Sequence, residues 1–488
     1  MSNSNARLYR EGFQSVRGVT GPLLFVNNAR GVGYGEFVTI ETRSWGSHAW
    51  GSHGKQTVTR TGQVLQIQDD LCVIQVFDDI LGFETGNTTV WVERDVAKVG
   101  VGERLRGQIL NGRGQTLEGK DLYGLDALLP INGLSLNPVT RAVPCEPIET
   151  GMSVLDLMNT TMRGQRLALL GGPGLPVGEL AALVASRALL PGNGDAFLVV
   201  FAAMGVTSRE VDVFMESFVR SGILESGVFL LNKADDPAIE RLLTPRAALT
   251  IAEYFAFTKG YDVLVVMTDM LCYAEALREV GAARGESLGR MGYPTYLYSD
   301  LAGIYERAGC LAGRKGRVTQ IVTVGMPNDD AAHPVADATS HIVDGQIVLD
   351  RRLHTAGVFP PVDVLSSLSR PMNKGIGHGR TFDTHRVLAD QLHAAYAKAQ
   401  EVNCLRHHIG DKGLSEVEKS YIKFGESFEK LFVNQKRERG REQWGRETET
   451  VERRTFIQSE AKAWEILRQL PAGELYLLSP SLMAHKLK

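Results

Sequence analysis

Gly171-Gly-Pro-Gly-Leu-Pro-Val-Gly178 lies between an apolar run, Arg166-Leu-Ala-Leu-Leu170, and a helix-forming one, Leu180-Ala-Ala-Leu-Val-Ala-Ser-Arg187. A glycine-rich loop between strand and helix is the setting of the phosphate-binding pattern G-x-x-x-x-G-K-[ST]. The lysine of that pattern bonds the outer phosphates, and its hydroxyl holds magnesium. Laid over this segment from Gly171, the pattern puts Pro176 on its second glycine, Val177 on its lysine and Gly178 on its Ser/Thr. Valine and glycine can do neither job. Gly171, Gly172, Gly174, Pro176, Val177 and Gly178 therefore outline a degenerate nucleotide site. Its glycines and backbone N–H groups alone can hold an anion weakly. Loss of the lysine removes a charge-assisted contact of about 1.5–3 kcal/mol, roughly one to two decades in affinity, so weak or absent nucleotide binding is expected.

Two further residues belong to the same chemistry. Tyr261-Asp-Val-Leu-Val-Val-Met-Thr-Asp269 is an apolar run ending in an acid, the place where such sites support magnesium. With the hydroxyl ligand gone, a structural role for Asp269 is expected. Arg370 closes Val364-Leu-Ser-Ser-Leu-Ser-Arg370. An arginine presented across a subunit interface stabilises the charge on a transferred phosphoryl group, an effect of roughly 10³ to 10⁵ in rate. Residue type alone favours an ion pair with a nearby carboxylate instead. In Trp45-Gly-Ser-His-Ala-Trp-Gly-Ser-His53, His48 and His53 lack an acidic or thiol companion, so an exposed hairpin loop is expected there rather than a metal site.

The elements that must hold these residues follow from periodicity. From residue 20 to about 98, short β-rich runs alternate with turns: Pro22–Val26, Glu36–Ile40, Gln63–Ile67, Cys72–Val76 and Thr88–Val92. Strands without intervening helices imply a small antiparallel barrel or, on pattern alone, a sandwich. Residues 130–165, rich in Pro, Asn and Thr, read as a connector. From 166 to about 350, the runs Phe197–Phe201, Val228–Leu231, Val263–Met267 and Val318–Thr323 alternate with helical segments, implying a mainly parallel sheet. Beyond about 380 strands cease, and Asp383–Glu401 and Glu416–Gln435 have helical spacing. The domains expected are a β-barrel over 1–98, a nucleotide-binding-type α/β core over 99–379 and a helical domain over 380–488. The Arg- and Glu-dense run 436–454 reads as a solvated helix face or loop.

Composition narrows the function classes. A formal net charge of -3 offers no basic field for nucleic acid. Cys72, Cys145, Cys272, Cys310 and Cys404 are an odd, widely spaced set, which suits a reducing cytoplasm and neither disulfides nor zinc. The N-terminal residues show no signal core, and the longest apolar stretch, around Phe197–Val206, falls short of the ~20 residues a membrane span needs. Any membrane role is expected to be peripheral.

The string of words is also recognisable. Thr150-Gly-Met-Ser-Val-Leu-Asp156, Asn159-Thr-Thr-Met-Arg-Gly-Gln165, Val200-Phe-Ala-Ala-Met-Gly205, Leu231-Asn-Lys-Ala-Asp-Asp-Pro237, Met326-Pro-Asn-Asp-Asp330 and Ser367-Leu-Ser-Arg370 resemble the B subunit of vacuolar- and archaeal-type rotary ATPases. The resemblance runs from about Gly21 to Gly473. It implies a P-loop NTPase core with a RecA-like parallel sheet, an N-terminal antiparallel β-barrel and a C-terminal helical domain. It implies a non-catalytic chain, three copies of which alternate with three catalytic A subunits around a central stalk, braced by a peripheral stalk. No tightly bound cofactor is expected, though ATP or ADP shared with the A subunit is. The complex would sit on the cytoplasmic face of a membrane and couple ATP synthesis or hydrolysis to proton or sodium transport. The resemblance reverses the reading of Arg370, which becomes the arginine presented to the adjacent A subunit. Val206 then stands where catalytic subunits carry the glutamate that polarises water. The chain departs from the family pattern at Gly172-Pro173, at Val177-Gly178 and at Pro371. The rival reading is an autonomous hexameric P-loop ATPase of export or helicase type, which would need a lysine at 177 and a carboxylate at 206.

Overall fold

The computed structural model describes residues 11–20, 23–27, 31–47, 53–68, 70–76, 83–92, 96–120, 122–188, 196–436, 440–441, 447–448 and 451–486. Seven strands come first: β1 (Glu11–Phe13), β2 (Val16–Thr20), β3 (Leu23–Asn27), β4 (Phe37–Ser47), β5 (His53–Gln68), β6 (Leu71–Val76) and β7 (Thr88–Val92). They form one antiparallel sheet in the order β1-β7-β4-β5-β6-β3-β2. Its two outer strands, β1 and β2, are joined by only Gln14 and Ser15, so the sheet must curl until its edges approach. That link decides for a barrel over a sandwich. Inward positions two apart, such as Val38 and Ile40, Cys72 and Ile74, and Val90 and Val92, fill its interior. β4 and β5 pair as far as Ser47 opposite His53. The expected hairpin is therefore present; His48 and the rest of its tip lie outside the described residues, and the His53 side chain is not described.

The middle of the chain runs β8 (Lys98–Val101), β9 (Gln108–Asn111), β10 (Ala127–Pro130), β11 (Arg141–Ala142), β12 (Arg166–Gly171), α1 (Val177–Arg187), β13 (Phe197–Val206), α2 (Ser208–Ser221), β14 (Val228–Lys233) and α3 (Ala238–Glu253). It continues with β15 (Asp262–Thr268), α4 (Met270–Ala283), α5 (Leu297–Tyr305), β16 (Gly309–Leu311), β17 (Arg317–Gly325), α6 (Pro334–Ile342), β18 (Gly345–Leu349), α7 (Arg351–Thr355) and β19 (Val362–Ser369). The main sheet has the order β19-β18-β12-β17-β15-β13-β14-β9. All neighbours in it are parallel except β19, which runs antiparallel to β18 and forms one edge. Both faces are covered, so β15 is apolar and buried throughout Val263–Met267. Alternate residues of β12 enter different cores: Leu167 and Leu169 face one, Ala168 and Leu170 the other.

Residues 148–165 do more than connect. Met152, Asp156, Thr160 and Gln165 are buried. The Asp156 carboxylate accepts bonds from Thr150 N (2.8 Å), Thr150 Oγ1 (2.7 Å) and Gly151 N (2.8 Å), while burial raises its pKa to about 7.

α8 (Met372–Gly375), α9 (His385–Ile409), α10 (Glu416–Ser427), α11 (Phe456–Leu467) and α12 (Pro480–Lys486) form the helical end. α10 continues as a wider turn over Phe428–Val433. This end shares one apolar core with the sheet: Leu388, Phe424 and Trp464 belong to the same cluster as Leu167 and Phe201. Much of the run 436–454 lies outside the described residues, but its last residue departs from the solvated reading. Arg454 is buried and donates to Phe432 O at 3.0 Å and Glu452 Oε2 at 2.9 Å. Among the described residues no helix is long and apolar enough to cross a membrane.

Candidate functional site

The loop after β12 opens at the carboxyl ends of the parallel strands, where open α/β sheets hold their ligands. It lines a cleft of about 310 Å³ with Val206 of β13, Glu210 of α2, Asp269 after β15, Gly325 at the end of β17 and Met326 after it. Gly174 turns with φ +79°, a conformation suited to glycine. α1 begins at Val177, where the loop pattern would place its lysine. Two loop amides are already used: Leu175 N donates to Gly172 O (3.1 Å) and Val177 N to Leu175 O (2.8 Å). Among the described residues no lysine or arginine lines the cleft. Gly172 is tightly backed, since a Cβ added there would sit 1.6 Å from Asp329 Oδ1. Asp329 is held by Arg351 through two bonds of 2.8 Å, and Arg351 also donates to Pro173 O at 2.9 Å. The guanidinium keeps the Asp329 carboxyl below its usual range. An ion pair thus braces the loop from outside.

Asp269 serves its own element. Its Oδ1 accepts from Leu271 N (2.9 Å), capping α4, and from Gly325 N (3.1 Å), tying that helix to β17. Burial raises its pKa to about 6 against the pull of those two amides. Val206 is buried at the end of β13 and brings no polar atom to the cleft. The carboxylate that does line it, Glu210, is turned to a neighbour: its Oε2 accepts from Thr207 N (2.7 Å) and Thr207 Oγ1 (2.8 Å) in a reciprocal cap of α2. Sequence reasoning passed over Glu210, although Thr207-Ser-Arg-Glu210 carries the S/T-x-x-E signal of that cap. It also passed over Arg351, for which no local signal exists.

Arg370 lies elsewhere, one residue past β19 at the sheet edge and outside the cleft lining. Its side chain is exposed, and it forms no salt bridge among the described residues. Its backbone N–H donates to Asp344 O at 3.1 Å. The carboxylate partner that residue type alone favoured is not found there. A groove beside it is lined by Asn159, Ser367, Ser369, Asn373, Arg386 and His393, among others.

A barrel-type sheet, a parallel core with a degenerate phosphate loop and a helical end define a head subunit of the ATP synthase alpha/beta class. Family models agree along the chain. The β-barrel domain of the ATP synthase alpha/beta family matches residues 16–90 and its nucleotide-binding domain 151–369; the C-terminal domain of V and A type ATP synthase matches 374–487. Two curated relatives, the V-type ATP synthase beta chains of two strains of Thermus thermophilus, are each 44% identical over 479 residues, covering 97% of this chain and 95% of theirs. A solved structure described as a unique ATP synthase subunit, NeqB from Nanoarcheaum equitans, is 33% identical with a TM-score of 0.68, covering 89% of this chain and all of that one. The chain belongs to the V-type ATP synthase beta chain family.

Proposed function

We propose that this chain is the non-catalytic B subunit of a V-type ion-translocating rotary ATPase or ATP synthase. Three copies alternate with three catalytic A subunits around the central stalk, and Arg370 reaches the ATP site of the adjacent A subunit. ATP or ADP is shared at that interface. Peripheral-stalk subunits brace the ring, and the assembly couples ATP turnover to proton or sodium transport from the cytoplasmic face of the membrane.

The observation that carries this reading is the separation of the two halves of a phosphoryl-transfer site. The chain's own loop lacks the lysine and is braced by the Asp329–Arg351 pair, and the Glu210 and Asp269 carboxylates of its cleft are engaged by Thr207 and by the Leu271 and Gly325 amides. Those features disfavour a magnesium triphosphate there. Arg370, meanwhile, stands exposed at an outer edge of the sheet, which supports a role on a site in another chain.

The test is Arg370→Ala in the assembled complex. Assembly should be retained and ATP turnover should fall by ~10³-fold or more, as for other arginines supplied in trans. Near-normal turnover in an assembled mutant would refute the in-trans role.

A further inference from the structure

β19 is an edge strand, and the register of such a strand decides which side chains face out. Along Ser367-Leu-Ser-Arg370 the exposure alternates: Ser367 9%, Leu368 49%, Ser369 7%, and Arg370 exposed. The hydroxyls point in and the guanidinium points out, as a period of two requires. A slip of one residue would exchange the two sets. Val362 and Val364 bury the start of β19 in the core, but its end carries two serines that bury almost no apolar surface, so hydrophobic burial does little to hold the register there. The ladder to β18 is itself irregular, shifting between Gln346 and Val348.

Polar bonds hold the strand end instead. Ser369 Oγ donates to Thr160 O at 2.9 Å and accepts from Gln165 Nε2 at 3.0 Å. Gln165 Oε1 accepts from Met162 N at 2.9 Å, and both Gln165 and Thr160 are fully buried. Gly345 stands opposite Ser369, where a Cβ would lie 3.0 Å from Gln165 Nε2 and 2.5 Å from Leu368 O. Next to Gln165, Arg166 clamps the Asp344 carboxylate (Nη2 to Oδ1, 2.7 Å), and Asp344 O receives the Arg370 N–H. The start of β12 thereby holds both the Ser369 side chain and, through Asp344, the Arg370 backbone.

We propose that Ser369, backed by Gln165, is a positioning residue for Arg370: it sets the strand register and so the direction in which the guanidinium leaves the sheet. This rests on the reading of Arg370 as acting on the neighbouring subunit. Misplacing a catalytic group by about 1 Å can cost up to ~10²-fold in rate, so a buried hydroxyl that aims Arg370 can govern turnover.

The experiment uses the complex reassembled from full-length subunits. Ser369→Ala should lower kcat about tenfold, leave KM for ATP within about twofold, and be largely restored by Ser369→Thr, which keeps the hydroxyl. Gln165→Met, which removes the other bond to Ser369, should lower kcat in the same way. In an Arg370→Ala background, Ser369→Ala should add nothing, because no guanidinium remains to be aimed. Parental kcat in both Ser369→Ala and Gln165→Met overturns the proposal, as does a further loss of about tenfold in the double mutant. If Arg370→Ala is severe while Ser369→Ala is silent, only the positioning role falls. If Arg370→Ala is itself silent, the in-trans reading falls with it.

Discussion

Val177 stands where the phosphate-loop pattern has its lysine, on a loop whose glycine-rich backbone persists. Its Cγ2 would lie 2.4 Å from a Cβ placed on Gly171, so the valine fills the space beside that glycine. Lengthening it would not by itself supply a base, because Val206 at the cleft is apolar and Glu210 is held by Thr207. Val177→Lys is therefore expected to give the isolated chain no ATPase activity in a phosphate-release assay. Val177→Ala should leave turnover of the complex within about twofold of the parent and cost about 1 kcal/mol in stability, the usual effect of removing methyl groups from a half-buried position. Release of phosphate by the isolated Val177→Lys chain would show that a lysine alone was missing. The loss at 177 was legible because lysine and valine differ at one position of a short pattern. The Asp329–Arg351 brace was not legible, because Arg351 and the Pro173 carbonyl it bonds are 178 positions apart in the chain.

At the scale of elements, the end of β15 and the start of α4 are one joint, and Asp269 is its pin. An N-cap carboxylate lost to alanine typically costs ~1–2 kcal/mol, whereas asparagine caps equally well. The charge runs the other way. The folded pKa of about 6 lies above the unfolded value, so the native state holds the extra proton and stability falls as pH rises from about 4 through 6. The full penalty, on the order of 2–3 kcal/mol, is present above that range. Asp269→Asn should thus be as stable as the parent or more so at pH 7.5, and should lose the part of the pH slope between 4 and 6. Urea unfolding midpoints at the two pH values read this directly. ATP turnover of the assembled Asp269→Asn complex should be unchanged, and a severe loss would return Asp269 to metal support. The core strands were readable because burial on both faces makes them continuous apolar runs. The choice between barrel and sandwich was not, since alternation is the same in both; the two-residue link from β1 to β2 decides it only once the strand order is known.

Across the whole molecule, the helical end is seated on the core through a seam that buries a histidine. Gln435 and Arg454 bond the core backbone across it, Gln435 Nε2 donating to Gly151 O at 3.0 Å and the Arg454 backbone N–H to the same oxygen at 3.1 Å. His385, fully buried on α9, joins helix to core: Nε2 donates to Leu157 O at 3.0 Å and Nδ1 accepts from Thr381 Oγ1 at 3.0 Å, with the ring stacked on Phe382. That arrangement fits only the neutral imidazole. Burial lowers its pKa to about 4, outweighing the Leu157 carbonyl and Glu460. Glu460 Oε1 already takes bonds from Thr384, Trp464 and Lys486, which limits its help to an imidazolium. The unfolded chain protonates this histidine near pH 6.5, so its contribution is present above that value and drains away as pH falls towards 4. Between pH 7 and 4.5 the drain amounts to about 2–3 kcal/mol. His385→Phe should be less stable at pH 7, because Leu157 O loses its donor. It should also lack that acid-dependent loss, so the gap between parent and variant in urea unfolding narrows by about 2–3 kcal/mol at pH 4.5. A gap that stays constant with pH would mean that the imidazole takes up no proton on unfolding, and that carboxylates elsewhere set the acid limit of the seam.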